Sequence, residues 1–284
     1  MEVEFTKVEG TGNDFVIINE MKGEVIPAVD KSTFAKHVCE RKFSIGADGV
    51  IFISPSTICD VQMRTFNPDG SEAEMCGNGM RCFAKYVYER GIVKETKITV
   101  ETLGGVITPE VIVNDGVVDE VRVLMGRAQF ERNLIPMEGD ENFAIDMDLP
   151  INDEIGTLKI TVLSVGNPHA VHLVDDLYGT DVDGLGSLIE SHDAFPKRAN
   201  VQFIEINDTN DLDIRTYERG VGETLSCGTG ATAAVYALEK LNMINPEKEV
   251  TVRALGGVLK VFLEEDGAYL KGKANIVYDG KIDY

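Results

Sequence analysis

The sequence predicts an α+β protein of two related, pseudo-symmetric halves, each with one prominent helix set among many short strands. Three observations carry this expectation. The sixteen residues from Arg64-Thr65-Phe66 to Cys76-Gly77-Asn78-Gly79 align without gaps on Arg215-Thr216-Tyr217 to Cys227-Gly228-Thr229-Gly230, and six positions are identical. Each copy runs into a stretch whose apolar residues fall at helical spacing. The rest is short alternating runs, without the regular strand–helix succession of a doubly wound parallel sheet.

Taken in chain order, Gly12-Asn13 has a weaker echo in Gly166-Asn167. After Cys76-Gly77-Asn78-Gly79, residues Met80, Phe83, Ala84 and Val87 share one helical face, and Gly91 is the expected stop. Lys97 to Thr102 alternates as a strand does, and Leu103-Gly104-Gly105-Val106 recurs as Leu255-Gly256-Gly257-Val258, one residue out of step. A coarse boundary near Gly126 separates halves 1–126 and 127–272, and the turn-rich stretch from Met137 to Gly156 reads as a loop or hairpin region. After Cys227-Gly228-Thr229-Gly230, residues Ala231, Ala234, Val235, Leu238 and Leu241 repeat the helical spacing, ending before Pro246. Strand-like runs follow at Glu249 to Arg253 and Val258 to Leu263.

The length, 284 residues, suits about two domains at roughly 150 residues each. Against 27 Lys and Arg stand 48 Asp and Glu, a net charge of −21 that repels phosphate backbones and anionic head groups. Nucleic acid and membrane surfaces are therefore not expected partners. Met1 to Gly10 lacks the apolar core of a signal peptide, and no run is long enough to cross a bilayer, so a cytoplasmic location is expected. The five cysteines, Cys39, Cys59, Cys76, Cys82 and Cys227, are odd in number and scattered, which suits a reducing compartment and lacks the CxxC spacing of a structural zinc site.

Isolated cysteines are ordinarily packing residues, and that is the reading for Cys39, Cys59 and Cys82. Cys76 and Cys227 differ because the same Cys-Gly-x-Gly context occurs twice, each time at an expected helix start. Such a start exposes unpaired N–H groups and the positive end of the helix dipole, which favour a thiolate and can hold a carboxylate. With the halves facing each other, two sulfurs would approach one carboxylate-bearing carbon from opposite sides, the geometry of proton exchange with inversion. A redox disulfide between them is the competing chemistry, expected as an inactive oxidised form.

Further blocks join these: Gly12-Asn13-Asp14-Phe15, Asn67-Pro68-Asp69-Gly70-Ser71, Cys76-Gly77-Asn78-Gly79-Met80-Arg81-Cys82, Gly166-Asn167-Pro168-His169, Arg198-Ala199-Asn200-Val201, and Glu218-Arg219-Gly220 with Cys227-Gly228-Thr229-Gly230. In this order and at these separations the sequence resembles the diaminopimelate epimerase family of cofactor-independent, two-cysteine racemases, nearly end to end. The resemblance implies that each half is a β-sheet barrel around a central helix, with the active site in the cleft between halves and residues from about 273 to 284 returning to the first. It implies epimerisation of LL-diaminopimelate to the meso isomer in lysine biosynthesis, with no pyridoxal phosphate or other cofactor and no metal. Cys76 and Cys227 would be thiolate base and thiol acid, exchanging roles with direction.

By the same resemblance, Gly77, Asn78, Gly228 and Thr229 would donate to the α-carboxylate at the reacting centre. Asn67, Asn167, Asn200 and Arg219 would hold the distal carboxylate and amine, with Asn13 and Glu218 close to the ammonium groups. This set suits the substrate, because amides donate and accept, Arg pairs with carboxylate and Glu offsets ammonium. His169 and Glu218 are candidates for catalytic assistance, the imidazole by setting a thiolate's protonation. The expected partner is a small-molecule substrate, and a homodimer is expected. Two departures stand out: Gly49 where many relatives carry Gln, and Val8 where Met is frequent. The nearest rival is a racemase of another amino acid such as proline or hydroxyproline. A rival of different class is a non-catalytic amino-acid-binding or thiol-redox protein.

Overall fold

A computed structural model describes residues 1–284. The chain divides into two compact units, Met1–Leu124 with Lys271–Tyr284, and Met125–Leu270. No helix is long and apolar enough to cross a membrane.

In the first unit, strands Glu2–Gly10 and Asn13–Asn19 form an antiparallel hairpin, and Asn275–Asp283 pairs antiparallel on the outer edge of Glu2–Gly10. From Asn13–Asn19 the sheet continues parallel to Gly49–Ser54, antiparallel to Val61–Phe66, parallel to Val100–Thr102 and antiparallel to Gly105–Ile107. Each parallel step needs a crossover connection, since a short turn can only reverse the chain. Helix α1 (Lys31–Cys39) lies in the first crossover and helix α2 (Gly77–Glu89) in the second. Helix α2 is buried on every face from Gly77 to Val87, its polar residues Asn78, Arg81 and Lys85 included. It stops where Gly91 adopts φ +66, with the Gly91 and Ile92 N–H groups bonded back to Tyr88 and Val87.

The second unit repeats that succession. Gly156–Ser164 and Pro168–Leu173 are antiparallel, followed by a parallel step to Asn200–Asp208, an antiparallel step to Asp211–Glu218, a parallel step to Val250–Ala254 and an antiparallel step to Gly257–Glu264. Helix α3 (Val182–Glu190) lies in the first crossover and helix α4 (Gly228–Lys240) in the second. The Gly12 and Gly166 turns match, at φ +82 and +80, so the weak echo in the sequence marks equivalent hairpins. The stretch from Met137 to Gly156 contains strand Met147–Asn152, which forms a hairpin with Gly156–Ser164. Ala231, Ala234, Val235 and Leu238 of α4 pack in one core cluster with Leu163, Ile204, Val252 and Leu259 from the strands.

Each half therefore has two helices where the sequence pattern predicts one. Helix α1 has one short buried stripe, Phe34, Ala35, Val38 and Cys39, and no side-chain cap at Asp30. Its stability comes from tertiary contacts, including Lys31, buried and paired with Glu20 at 2.6 Å. Helix α3 is equally short and contains two glycines, but Asp181 caps it by accepting from the Gly184 N–H at 3.0 Å.

Candidate active site

The sixteen-residue repeat folds twice into the same module, a short hairpin that delivers a cysteine to a helix start. Thr65 and Phe66 pair with Ala73 and Glu72, and Thr216 and Tyr217 pair with Thr224 and Glu223. Across each hairpin an Arg–Glu fork closes: Arg64 Nε and Nη2 reach Glu72 at 2.7 and 2.8 Å, and Arg215 Nε and Nη2 reach Glu223 at 2.6 and 2.9 Å. Four of the six repeated identities, Arg, Glu, Cys and the second Gly (Gly79 and Gly230), have direct structural duties, and the sequence reading used only the last two. The signal for the forks was already present in the repeat.

Cys76 and Cys227 are the N-caps of α2 and α4, with near-identical backbones at φ −137, ψ 115 and φ −131, ψ 117. Each sulfur accepts the N–H of the third helical residue, Gly79 or Gly230, at 3.4 Å. This arrangement stabilises negative charge on sulfur. Gly230 is required by close approach, because a Cβ there would stand 2.9 Å from Gln202 Nε2 and 3.2 Å from Cys227 Cβ.

In the first unit the structure brings Asn13, Cys76 and Asn78 together. Cys76 Sγ lies 3.8 Å from Asn13 Oδ1, and Asn78 Nδ2 donates to the same oxygen at 3.4 Å. The Asn13 amide is oriented from behind by Asp48, which accepts from Nδ2 at 2.7 Å. Arg41 ties Asp48 to Asp14 at 2.8 and 2.5 Å, and Lys7 pairs with Asp14 at 2.5 Å. Burial alone would raise the Asp14 carboxyl, but hydrogen bonds from Arg41 and Lys7 outweigh it and hold it below the ordinary carboxylate range. Asn67 is not in this group. It closes the turn to Ser71, donating from Nδ2 to Ser71 Oγ at 2.9 Å.

Arg81, one turn into α2, is 0% exposed and bonds only neutral oxygens: Thr11 Oγ1 at 2.8 Å, with Gly77 O and Lys273 O at 3.5 Å. Its charge acts on Cys76, Cys82 and Glu9. Burial pushes the Cys82 thiol far up and Cys39 to about 12, so both stay neutral packing residues.

In the second unit Cys227 Sγ stands 3.3 Å from Thr229 Oγ1. Asn200, itself buried, donates to the Pro168 carbonyl at 3.1 Å and accepts the Arg219 N–H at 3.0 Å, so it fixes the loop carrying Glu218 and Arg219. Thr224 donates to Glu218 Oε1 at 2.6 Å, and Arg219 Nη1 donates to the Lys197 carbonyl at 3.0 Å. His169 is 0% exposed, with Nε2 at 2.8 Å from Asn167 Oδ1 and Nδ1 at 3.1 Å from Gln202 Oε1. Burial lowers its pKa to about 4; the Gln202 contact opposes that shift and the Arg219 charge adds to it. Asp48 and Gln202 were not among the site residues that sequence reasoning named, because each acts through another side chain.

No group of three or more His, Cys, Asp or Glu side chains is disposed to hold a metal ion. An open groove of about 620 Å³ beside Phe5, Tyr86 and Arg90 in the first unit is lined by none of the motif residues.

The family model described as diaminopimelate epimerase matches residues 5–131 and 161–277, one copy of the repeat in each stretch. The chain belongs to the diaminopimelate epimerase family. It is 48% identical over 281 residues to the diaminopimelate epimerase of Methanothermobacter thermautotrophicus, covering 97% of each chain. It is 43% identical over 295 residues to that of Methanococcus aeolicus, covering 99% of each. Among solved structures, a Bacillus anthracis phenazine biosynthesis protein of the PhzF family superposes with TM-score 0.72 at 17% identity, covering 100% of both chains. A hydroxyproline epimerase from Agrobacterium vitis superposes with TM-score 0.71 at 15% identity, covering 99% of this chain and 92% of that one. At these identities the likeness concerns the fold, which the epimerase family shares with these neighbours.

Proposed function

We propose that this protein interconverts LL- and meso-2,6-diaminopimelate by a two-base mechanism on Cys76 and Cys227, in lysine biosynthesis. The observation that carries the reading is the duplicated cysteine cap, two sulfurs with the same helix-start setting in a chain of the diaminopimelate epimerase family. One cysteine, as thiolate, takes the α-proton and becomes a thiol. The electron pair left on carbon is held by the α-carboxylate and the helix-start donors. The other thiol then delivers its proton to the opposite face and becomes the thiolate. One proton is removed and one added, so substrate and product are isomers and no oxidant or cofactor enters the balance.

An α-proton beside an ammonium group is only weakly acidic, so the carbanion must be stabilised by preorganised dipoles. In this reading Gly77, Asn78, Gly228 and Thr229 supply those donors, and Asn13 and Glu218 face ammonium groups. Asn67, Asn167, Asn200 and Arg219 read the far end as an L-amino acid, which seats the near end for reaction. A cytoplasmic homodimer belongs to the same reading, and sedimentation of the purified protein tests the assembly. Relatives at 43–48% identity named diaminopimelate epimerase favour this substrate over proline or hydroxyproline, for which the support is a likeness of fold.

Incubation with LL-diaminopimelate in deuterated water tests it: deuterium at an α-carbon together with meso product is expected. Cys76→Ala and Cys227→Ala should each lower turnover by roughly 10²–10⁴-fold or more, with circular dichroism unchanged. Absence of label would overturn the assignment, exchange into L-proline instead would install the proline-type racemase, and retained function in both variants would favour a non-catalytic binding protein.

A further inference from the structure

Asn167, His169 and Gln202 form a line of side chains in the second unit, the first two from one motif and Gln202 from outside any of them. His169 lies on strand Pro168–Leu173, opposite Asn200 in the parallel pair, and Gln202 follows two residues along the partner strand. Both His169 and Gln202 are 0% exposed. As placed, His169 presents its two ring nitrogens to two amide oxygens, Asn167 Oδ1 at 2.8 Å and Gln202 Oε1 at 3.1 Å. Satisfying both would require a doubly protonated ring. That would be a buried cation with no carboxylate bonded to it and with the Arg219 charge working against it, and burial keeps the ring neutral well below pH 6. A neutral imidazole has one proton and one lone pair, so one of the two amides must offer nitrogen instead of oxygen.

Gln202 is the amide that resolves the conflict. Its Nε2 is buried and has no hydrogen-bond partner, and it abuts Gly230 in the first turn of α4, where a Cβ would meet it at 2.9 Å. Half a turn of the amide exchanges oxygen and nitrogen, which occupy nearly the same volume. The nitrogen then donates to Nδ1, and the oxygen faces the positive end of α4. Turning Asn167 instead would leave the Gln202 nitrogen buried without an acceptor. With the ring proton on Nε2, Asn167 Oδ1 is the acceptor, and its Nδ2, which makes no hydrogen bond within the protein, is left to meet a ligand.

We propose that Gln202 and His169 are positioning residues: Gln202 donates to His169 Nδ1, His169 donates from Nε2 to Asn167 Oδ1, and the Asn167 amide is thereby locked with its NH₂ group presented to the substrate carboxylate. The last step rests on the epimerase reading; the tautomer does not. His169 in this role holds a ligand-binding amide in place and exchanges no proton during turnover.

Nitrogen-15 NMR of histidine-labelled full-length protein, with His169 assigned through His169→Gln, reads the tautomer directly. The expected result is Nε2 protonated and Nδ1 bare, unchanged from pH 8 to pH 5. A proton on Nδ1, or a ring titrating near pH 6.5, would overturn the proposal. For Gln202→Leu, KM for LL-diaminopimelate should rise about tenfold with kcat within threefold, because a hydrogen bond to a charged group is lost from binding. For His169→Gln, both limbs of the kcat–pH profile should persist; loss of a limb would make His169 an acid or base and end the positioning role. If the protein exchanges no label into diaminopimelate yet shows the Nε2 tautomer, the substrate reading fails and the amide relay stands.

Discussion

His169 makes stability depend on pH through a proton that the native protein refuses. The unfolded chain protonates histidine near pH 6.5, whereas the buried ring does so only near 4. Between those values the unfolded state binds more protons, so stability is complete above pH 6.5 and declines as pH falls. The loss amounts to about 2 kcal/mol between pH 7.5 and 5 for this one group. Urea titrations should therefore show the gap between wild type and His169→Gln narrowing by about that amount at pH 5 compared with pH 7.5. Parallel pH dependences in the two proteins would contradict the burial argument. Asp14 behaves differently, since its carboxyl is held down by Arg41 and Lys7: its contribution is present above the ordinary carboxylate range and is lost as pH falls below it. The residues legible in sequence were those that occur twice in one context, Cys76 and Cys227. Asp48 and Gln202 were not, because orienting a neighbour's amide requires only a partner at hydrogen-bond distance, and chain separations of 35 and 33 residues hide that partner.

The hairpin-and-helix module sets two expectations at the level of elements. At the head of strand Gly49–Ser54 a Cβ on Gly49 would stand 2.9 Å from the Phe66 carbonyl and 3.2 Å from the Phe15 ring. A Gln side chain here cannot be accommodated unless the strand moves, so Gly49→Gln should destabilise by about 1–3 kcal/mol in urea denaturation. An unchanged midpoint would mean the pairing of Gly49–Ser54 with Val61–Phe66 is slack. The two Arg–Glu forks are also unequal. Arg215 Nη1 additionally binds the Leu177 and Thr180 carbonyls, both at 3.0 Å, whereas Arg64 adds to its fork only a contact with the Phe66 ring, 5.2 Å from centroid to guanidinium. Arg215→Met should cost about 1–3 kcal/mol and Arg64→Met less, by the same assay. Helices α2 and α4 were readable because a long apolar pattern follows a repeated cap. Helices α1 and α3, at nine residues each, carry too few turns for periodicity to show. They could have been inferred only from topology, since each parallel strand pair demands a crossover.

At the scale of the whole chain the dominant quantity is the charge of −21. Like charges repel in the folded protein and separate when the chain expands, so the excess of carboxylates lowers stability at low ionic strength. Screening shortens the reach of that repulsion from about 30 Å at 0.01 M salt to about 3 Å at 1 M. The close ion pairs, such as Lys31–Glu20 at 2.6 Å and Arg215–Glu223 at 2.6 Å, span less than even the shorter distance and lose little. The melting temperature should therefore rise between 10 mM and 1 M NaCl at pH 7, with most of the gain below about 0.3 M as screening saturates. A general effect of salt on apolar burial would also raise it, and pH separates the two. Near the sequence isoelectric point of about 4.5 the net charge vanishes, so a scan at pH 5 should show a much smaller gain if repulsion is the cause. Calorimetry at both pH values reads the difference: a flat response at pH 7, or an equal gain at pH 5, would mean that the acidic excess does not limit stability and that its carboxylates are held far enough apart to act independently.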